Sequence, residues 1–395
     1  MGAQKIHPQA QWEIETAGVP AIADKLLQTA VAKILEAIYE ADFLPCRYGY
    51  RPGIGALDAV RELSRTLEQG LYHYVVEADI QGFFEHIDPD RLLAMLAERI
   101  DDQPFLGLIR KWLKAGIRET DGQVMQPATG TPQGGTVSPI LANVYLHYAL
   151  DKWFEETVKV PCRGAAYLCR YADDYVAAFQ YESDAQRFYQ VLGKRLAQYG
   201  LTVAADKTRL LLFSRTDRRN RSAFEFLGFE FRWGLSRWRK PIVKRRTAAK
   251  KYRASLANFR AWCRDNVHLP KRDFFAQLNT KLRGYYQYYG IRGNYERLSD
   301  FFYQVQRILF ATLNCRSQRK SYNWRGFAAL LEHYRLLATS DRPKLLNYTW
   351  VGACEASNTE EPDAENLHVG ICEGAAGQLA VLPRCLHDRQ CSTWV

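Results

Sequence analysis

The chain of 395 residues contains no apolar run of about 18 residues, the length a membrane-spanning helix needs. Its first residues show no secretory signal order of basic, apolar and small side chains. A membrane role is therefore not expected, and a cytoplasmic location is. Its 9 cysteines form no Cys-x-x-Cys pair. Cys46, Cys162, Cys169, Cys263 and Cys315 read as small buried residues of a reducing compartment. Near the end, Cys372, Cys385, His387 and Cys391 fall at spacings that common zinc fingers do not use. Negative charge is scarce in one block: residues 206–260 hold 17 Lys and Arg against 4 Asp and Glu. The whole chain carries +11 with a pI near 9.1. This blockwise imbalance favours a polyanionic partner over a merely soluble surface. Within the block, "SRTDRRNRS" and "SRWRKPIVKRRTAAKKYR" interleave basic residues with aromatics, the composition of a nucleic-acid groove.

What is present suggests two or three domains. Helical periodicity is expected over 22–43, 56–69 and 90–118, with Asp90 as a cap, and again near 183–199. Strands are expected near 74–80, 164–170, 175–180, 202–213 and 224–233. From about 245 to 335 the pattern turns helical and basic. Mixed strands and helices followed by a helical block imply an α+β class with an all-α module behind it. The last residues, including "EASNTEEPDAENLHVGICEGAAGQ", are acidic, poor in aromatics and without a period, and read as irregular or disordered.

Three segments carry chemistry. Tyr171-Ala172-Asp173-Asp174 sits between apolar runs and reads as two strands meeting at a tight turn with paired carboxylates. A solvated turn is the plainer reading of the tetrapeptide alone. Buried acids at such a place otherwise need a cation, and hard oxygen ligands suit Mg²⁺. Residues 74–79 form a second apolar strand, ending in Asp79 and turning through Gly82. Carboxylates from separate strands can hold two cations roughly 4 Å apart for phosphoryl transfer. Between them, Gly130-Thr131-Pro132-Gln133-Gly134-Gly135 precedes a helix for which Ser138 is a candidate N-cap and Pro139 the first residue.

Taken in order, these segments resemble a reverse transcriptase, specifically the group II intron-encoded reverse transcriptase and maturase family. "TPQGGTVSPILANVYLHYALDKWF" and "RYADDYV" are similar to that family's palm motifs nearly residue for residue. "YGYRPGIGALDAV" resembles its fingers motif, "EADIQGFFEHID" its first catalytic-Asp motif, and "AADKTRLLLF" and "FEFLGFEF" its last palm segments. Residues 278–324 resemble the thumb and maturase region. The resemblance runs over roughly 18 to 335. It implies a polymerase right hand: fingers and palm over 1–240, a helical thumb and maturase module over 241–335, and an irregular tail over 336–395. No DNA-cleaving domain of the kind some members carry is expected, since its paired Cys and His motifs are lacking.

The resemblance also implies roles. Asp79 and Asp173 would be metal ligands, with Asp174 beside them and the backbone carbonyl of Ile80 contributing. The cofactor would be two Mg²⁺ ions, with Mn²⁺ as a substitute. Phe84 would lie under the incoming sugar and exclude a 2′-hydroxyl, unless it is ordinary palm core. Gln133 would lie against the nucleotide and Lys207 near its triphosphate. Arg51 would approach the template strand and Tyr171 the primer end. Arg245, Arg246, Arg283, Arg316, Arg319 and Lys320 would contact nucleic acid, while most of the tyrosines near Arg283 (Tyr285, Tyr286, Tyr288 and Tyr289) would be packing. Partners would be group II intron RNA, an RNA template with a DNA primer, and dNTPs. The chain departs from the family at its start. A gapless match to "IPKxxGKxRPLGIP" puts Gln9 and Glu15 where a lysine and an arginine grip the triphosphate, Trp12 at the turn glycine and Glu13 at a second basic position. Gln81 likewise stands where many members have lysine. A carboxylate facing a triphosphate repels it, so weak or absent catalysis is expected, as from a truncated or decayed reading frame. The competing reading is an RNA-binding splicing factor without a working polymerase.

Overall fold

The computed structural model describes residues 22–114, 117–118, 124–125, 135–215, 222–315 and 321–338. Gln9, Glu15, Gln133, Arg316, Arg319, Lys320 and the tail beyond 338 lie outside the described residues. The chain divides into two compact units, the first ending at Ala248 and the second beginning at Ala249.

In the first unit the order is α1 (Ile22–Tyr39), α2 (Ala56–Gln69), β1 (Tyr74–Ala78), β2 (Ile80–Gln81), α3 (Phe83–His86), α4 (Pro89–Ala97), α5 (Gln103–Leu113), β3 (Ile117–Arg118), β4 (Val124–Met125) and α6 (Ser138–Leu146). Then come β5 (Ala166–Tyr171), β6 (Asp174–Phe179), α7 (Glu182–Ala197), β7 (Thr202–Val203), β8 (Arg209–Leu212), β9 (Ala223–Phe226), β10 (Phe229–Leu235) and β11 (Pro241–Thr247). A four-stranded antiparallel sheet in the order β5-β6-β1-β8 carries the site. Its strands are apolar runs because both faces are covered, and Val75, Val76, Ala177 and Ala178 are fully buried. A second sheet, β11-β10-β9, is pinned by Phe224 and Phe231, paired across strands and stacked at 4.9 Å. A short β2-β7 ladder, Ile80 opposite Val203, carries the chain away just after Asp79.

Several expected boundaries move. α1 stops at Tyr39 rather than 43. The helix expected over 90–118 is two helices and a strand. Asp88, not Asp90, caps α4 by accepting from the Asp90 and Arg91 amides, with Pro89 in the first turn. Asp102 caps α5 by accepting from the Phe105 amide at 3.0 Å. Each Asp satisfies first-turn donors that would otherwise be orphaned, and so fixes a new helix start. Ser138 is not a cap: it lies inside α6, the capping position is Val137, and no side chain caps there. α6 needs little capping help because burial along nearly its whole surface holds it. It continues into π-helical turns at His147–Asp151 and Phe154–Val158.

Residues 241–247, expected at the head of the helical block, form β11, paired with β10. The second unit is helical: α8 (Ala249–Asn266), α9 (Lys271–Tyr289), α10 (Tyr295–Asn314) and α11 (Trp324–His333). Aromatic packing holds it together. Tyr285 stacks on Phe301 at 3.8 Å, Trp262 on Phe274 at 5.2 Å and Phe310 on Trp324 at 4.0 Å. Tyr285, Tyr286 and Tyr289 are buried, so these tyrosines are core, while Arg283 is exposed on the same helix.

Candidate active site

The site is built where β1 and β6 end. The β1–β6 register ends with Ala78 opposite Tyr175, so Asp79 directly follows the last paired residue of β1, and Asp174, the first residue of β6, directly precedes that residue's partner. Tyr171 pairs with Asp174 and closes the β5–β6 hairpin over the two residues Ala172 and Asp173. Ala172 adopts φ 55°, a left-handed conformation that disfavours alanine. The turn therefore needs support from outside itself.

That support is a buried polar frame. Arg170 and Asp151 are an ion pair with both side chains fully buried. The Arg170 Nε donates to Asp151 Oδ1 at 2.7 Å and its Nη2 to Oδ2. The remaining nitrogen, Nη1, donates to the Ala172 carbonyl at 2.9 Å and to Asn143 Oδ1 at 3.1 Å. Burial works against the Arg170 charge, but Asp151 outweighs it and raises the proton affinity of the guanidinium. Asn143 in turn donates to the Gly49 carbonyl at 3.0 Å. Backbone bonds from Tyr48 to the Arg170 carbonyl and from Arg170 to the Cys46 carbonyl, both 2.8 Å, lay residues 46–48 along β5. Gly49 then meets the turn so closely that an added Cβ would lie 2.4 Å from the Ala172 amide nitrogen. Arg47 is also buried, with its guanidinium 3.5 Å from the Phe43 ring centre and bonds to the Gly49 and Tyr50 carbonyls. Burial first, then the like charge of Arg170, depresses its proton affinity. These residues escape sequence reading because each alone looks ordinary. The only hint is polar Asn143 and Asp151 in an otherwise apolar stretch.

On the open side, Lys207 Nζ donates to Asp79 Oδ2 at 2.5 Å. This bond first, with the charges of Asp79, Asp206 and Asp174 behind it, raises the Lys207 proton affinity. The Ala204 amide donates to the Asp79 carbonyl at 2.9 Å and so fixes the Lys207 turn beside β1. Below, Tyr175 is buried, and burial first and the Asp79 charge second raise its phenol pKa.

Lys207 thus sets a cationic nitrogen on Asp79, and the charge of Asp174 on the neighbouring strand acts on it from farther off. Among the described residues no group of three or more His, Cys, Asp or Glu side chains is gathered to hold a metal unaided.

Other expected residues are placed as follows. Ile80 is buried in β2, which leaves only its backbone for any ligand role. Phe84 is half-buried at the start of α3, with its ring 5.3 Å from that of core residue Phe83. Tyr171 is half-buried beside the turn. Arg51 is engaged locally: its Nε donates to Glu40 at 2.7 Å and its Nη1 to the Arg47 carbonyl. Arg246 pairs across the ladder with Glu230 at 2.6 Å, and Arg245 is half-buried on the same strand. Arg51 and Arg246 thus each hold a carboxylate partner within the first unit. No described helix is long and apolar enough to cross a membrane.

Carboxylates at the ends of antiparallel strands, beside helices that cover the sheet, are an arrangement that two-metal phosphoryl transfer uses. The profile of the family described as "Reverse transcriptase (RNA-dependent DNA polymerase)" matches residues 13–231, more than half of the chain. The chain belongs to this family, whose chemistry depends on divalent metal. It is similar to the group II intron-encoded protein LtrA of Lactococcus lactis subsp. cremoris, 43% identical over 136 residues, or 34% of this chain and 22% of that one. A 91 kDa protein in the cob intron of Schizosaccharomyces pombe is 42% identical over 132 residues, 33% of this chain and 16% of that one. YkfC of Escherichia coli K12 is 29% identical over 197 residues, 43% of this chain and 51% of that one. The chain thus spans well under two thirds of each of these relatives. Among solved structures, apo telomerase from Candida tropicalis superposes with a TM-score of 0.46 at 11% identity, over 82% of this chain and 55% of that one.

Proposed function

We propose that the chain is a reverse transcriptase of the group II intron type, which copies an RNA template by adding dNTPs to a primer 3′-hydroxyl and binds intron RNA as a maturase. The observation that supports this reading is the Lys207 ammonium bonded to Asp79, which directly follows β1 where its register with β6 ends, next to the start of β6 at Asp174. The 3′-hydroxyl attacks the α-phosphate and pyrophosphate leaves. Asp79, Asp173 and Asp174, with the Ile80 carbonyl, would hold two Mg²⁺ ions, which when bound acidify the 3′-hydroxyl and neutralise the departing charge. Lys207, bonded to Asp79, would contact the triphosphate when Asp79 serves the cation. The half-buried ring of Phe84 lies one residue past Phe83 at the start of α3, and in this reading it excludes a 2′-hydroxyl from the incoming sugar. Gln133 and Tyr171 would contact the nucleotide and the primer end. Arg283, Arg316, Arg319 and Lys320 would meet RNA phosphates.

The test is primer extension on an RNA template with a DNA primer, dNTPs and Mg²⁺, with RNA binding measured alongside. Extension is expected to be weak and to rise with dNTP concentration, because Glu15 stands where relatives have a cation. It should vanish in Asp173→Asn with RNA binding retained, and Phe84→Ala should admit ribonucleotides. Extension that survives Asp173→Asn would refute the assignment of the site. RNA binding without any extension would leave a splicing factor instead.

A further inference from the structure

Three cations of the first unit's basic block are held by carboxylates. Lys207 pairs with Asp79, Arg209 with Glu77 and Arg246 with Glu230. One place differs. The turn joining β10 to β11 presents Arg237, Trp238, Arg239 and Lys240, all exposed. Among the described residues no carboxylate pairs with Arg237, Arg239 or Lys240. Trp238 is 70% exposed, and the Arg237 guanidinium stands 4.6 Å from its ring centre.

This tip is ordered by its own bonds. The Ser236 amide donates to the Lys240 carbonyl at 2.8 Å, Arg239 to the Ser236 carbonyl at 3.0 Å, and the Lys240 amide to Ser236 Oγ at 3.1 Å. Arg239 is held at φ 57°. Lower down, the aliphatic stem of Lys244 runs across Gly234, where an added Cβ would lie 2.8 Å from it, and so carries its ammonium toward the tip. The base of the hairpin is anchored: Trp233 Nε1 donates to the Phe213 carbonyl at 3.1 Å and the Val243 amide to Glu68 at 2.8 Å. Phe213 bonds His73, at the start of β1, so the anchor lies six residues of strand from Asp79, about 20 Å at the usual rise per residue.

An exposed indole costs solubility and contributes no packing. With a guanidinium beside it and further uncompensated cations on a rigid turn, it makes a platform on which an unpaired base stacks while its phosphates are held. We propose that the Ser236–Lys240 turn is an RNA-docking hairpin, separate from the polymerase centre, that stacks an unpaired base of a structured RNA on Trp238. This rests on the reading of the chain as an RNA-binding reverse transcriptase.

The test is fluorescence anisotropy of the full chain with a labelled RNA stem-loop and a blunt RNA duplex of equal length. Trp238→Ala should weaken stem-loop binding about tenfold or more and leave the duplex within about twofold, since only the loop offers an unpaired base. Trp238→Phe should keep most of the affinity. Arg237→Ala, Arg239→Ala and Lys240→Ala together should weaken both probes and reduce the salt slope by about two. Equal binding of both probes by wild type and Trp238→Ala overturns the proposal and leaves the proposed function standing, as does an equal loss on both probes. A Trp238→Ala chain that binds RNA normally but no longer self-associates in sedimentation makes the tip a protein contact and also overturns it. A wild-type chain that binds neither RNA overturns both readings.

Discussion

The Arg170–Asp151 pair allows stability and catalysis to be separated. Both side chains are fully buried, and the guanidinium is shared between Asp151, Asn143 and the carbonyl of Ala172 in the β5–β6 turn that carries the proposed catalytic acids. Asp151→Asn leaves a buried cation without its counter-ion, a loss of about 3–5 kcal/mol from a total on the order of 5–15 kcal/mol. For a unit of this size that is a fall in melting temperature of about 6–20 °C. The double change Arg170→Met with Asp151→Leu removes both charges and fills the space. Its residual cost is the loss of the Nη1 bonds to the Asn143 and Ala172 oxygens, about 1–3 kcal/mol for the buried Asn143 oxygen and less for the part-exposed carbonyl, so only part of the lost melting temperature should return. Activity should not return with it. Without the Nη1 bond, Ala172 holds its left-handed conformation against about 1–2 kcal/mol of intrinsic preference. A turn displaced by even 1 Å can cost about a hundredfold in rate. Arg170→Lys keeps the charge but cannot serve the carboxylate bidentately and Ala172 together, so it should retain more stability than activity. The assays are thermal unfolding and primer extension at saturating dNTP. A double variant that regains stability and full extension would show that the pair only holds the fold and has no part in aiming the turn.

Gly49→Ala should lower both melting temperature and extension, because its Cβ would lie 2.4 Å from the Ala172 nitrogen, and backbone cannot yield as a flexible side chain can; unchanged extension would mean that segment 46–50 does not buttress the turn. His147 is buried, edge-on to Phe43 and Tyr148 at 5.4 Å each, and burial first depresses its pKa, with Asp151 opposing and Arg170 adding to the effect. The folded ring therefore refuses a proton that the unfolded chain accepts below about pH 6.5, so its share of stability is complete above that pH and is lost as the pH falls. Melting temperature followed from about pH 7.5 to 5 should drop less steeply in His147→Phe than in wild type, and parallel curves would refute this.

What can be read from the sequence follows how locally each feature is specified. The β5–β6 hairpin and β1 are legible because apolar runs bounded by acids have one simple explanation, strands ending at a polar centre. The single helix expected over 90–118 fails because apolar periodicity runs across a break. The break is set instead by Asp88-Pro89 and Asp102-Gln103-Pro104, capping chemistry that a periodic count ignores. β11 escapes for the opposite reason. "KPIVKRRT" has few apolar positions, and its strand character comes from pairing with β10 and from the Glu230–Arg246 pair, neither visible from one segment. The same holds for the turn at Arg239, which lacks the Asn-Gly or Asp-Gly pattern of a tight hairpin and is closed by Ser236 instead. The frame behind the catalytic turn is the extreme case. Its members Gly49, Asn143, Asp151 and Arg170 are scattered along the chain, and each is commonplace by itself. Yet a polar residue inside an apolar run must find a partner or be selected against. Asn143 and Asp151 on the buried helix and Arg170 on the buried strand each carry a desolvation penalty, and contact with one another offsets all three. Polar residues of this kind therefore point to tertiary contacts from the sequence alone, and in this chain the contact they point to is the one that holds the acidic turn in place.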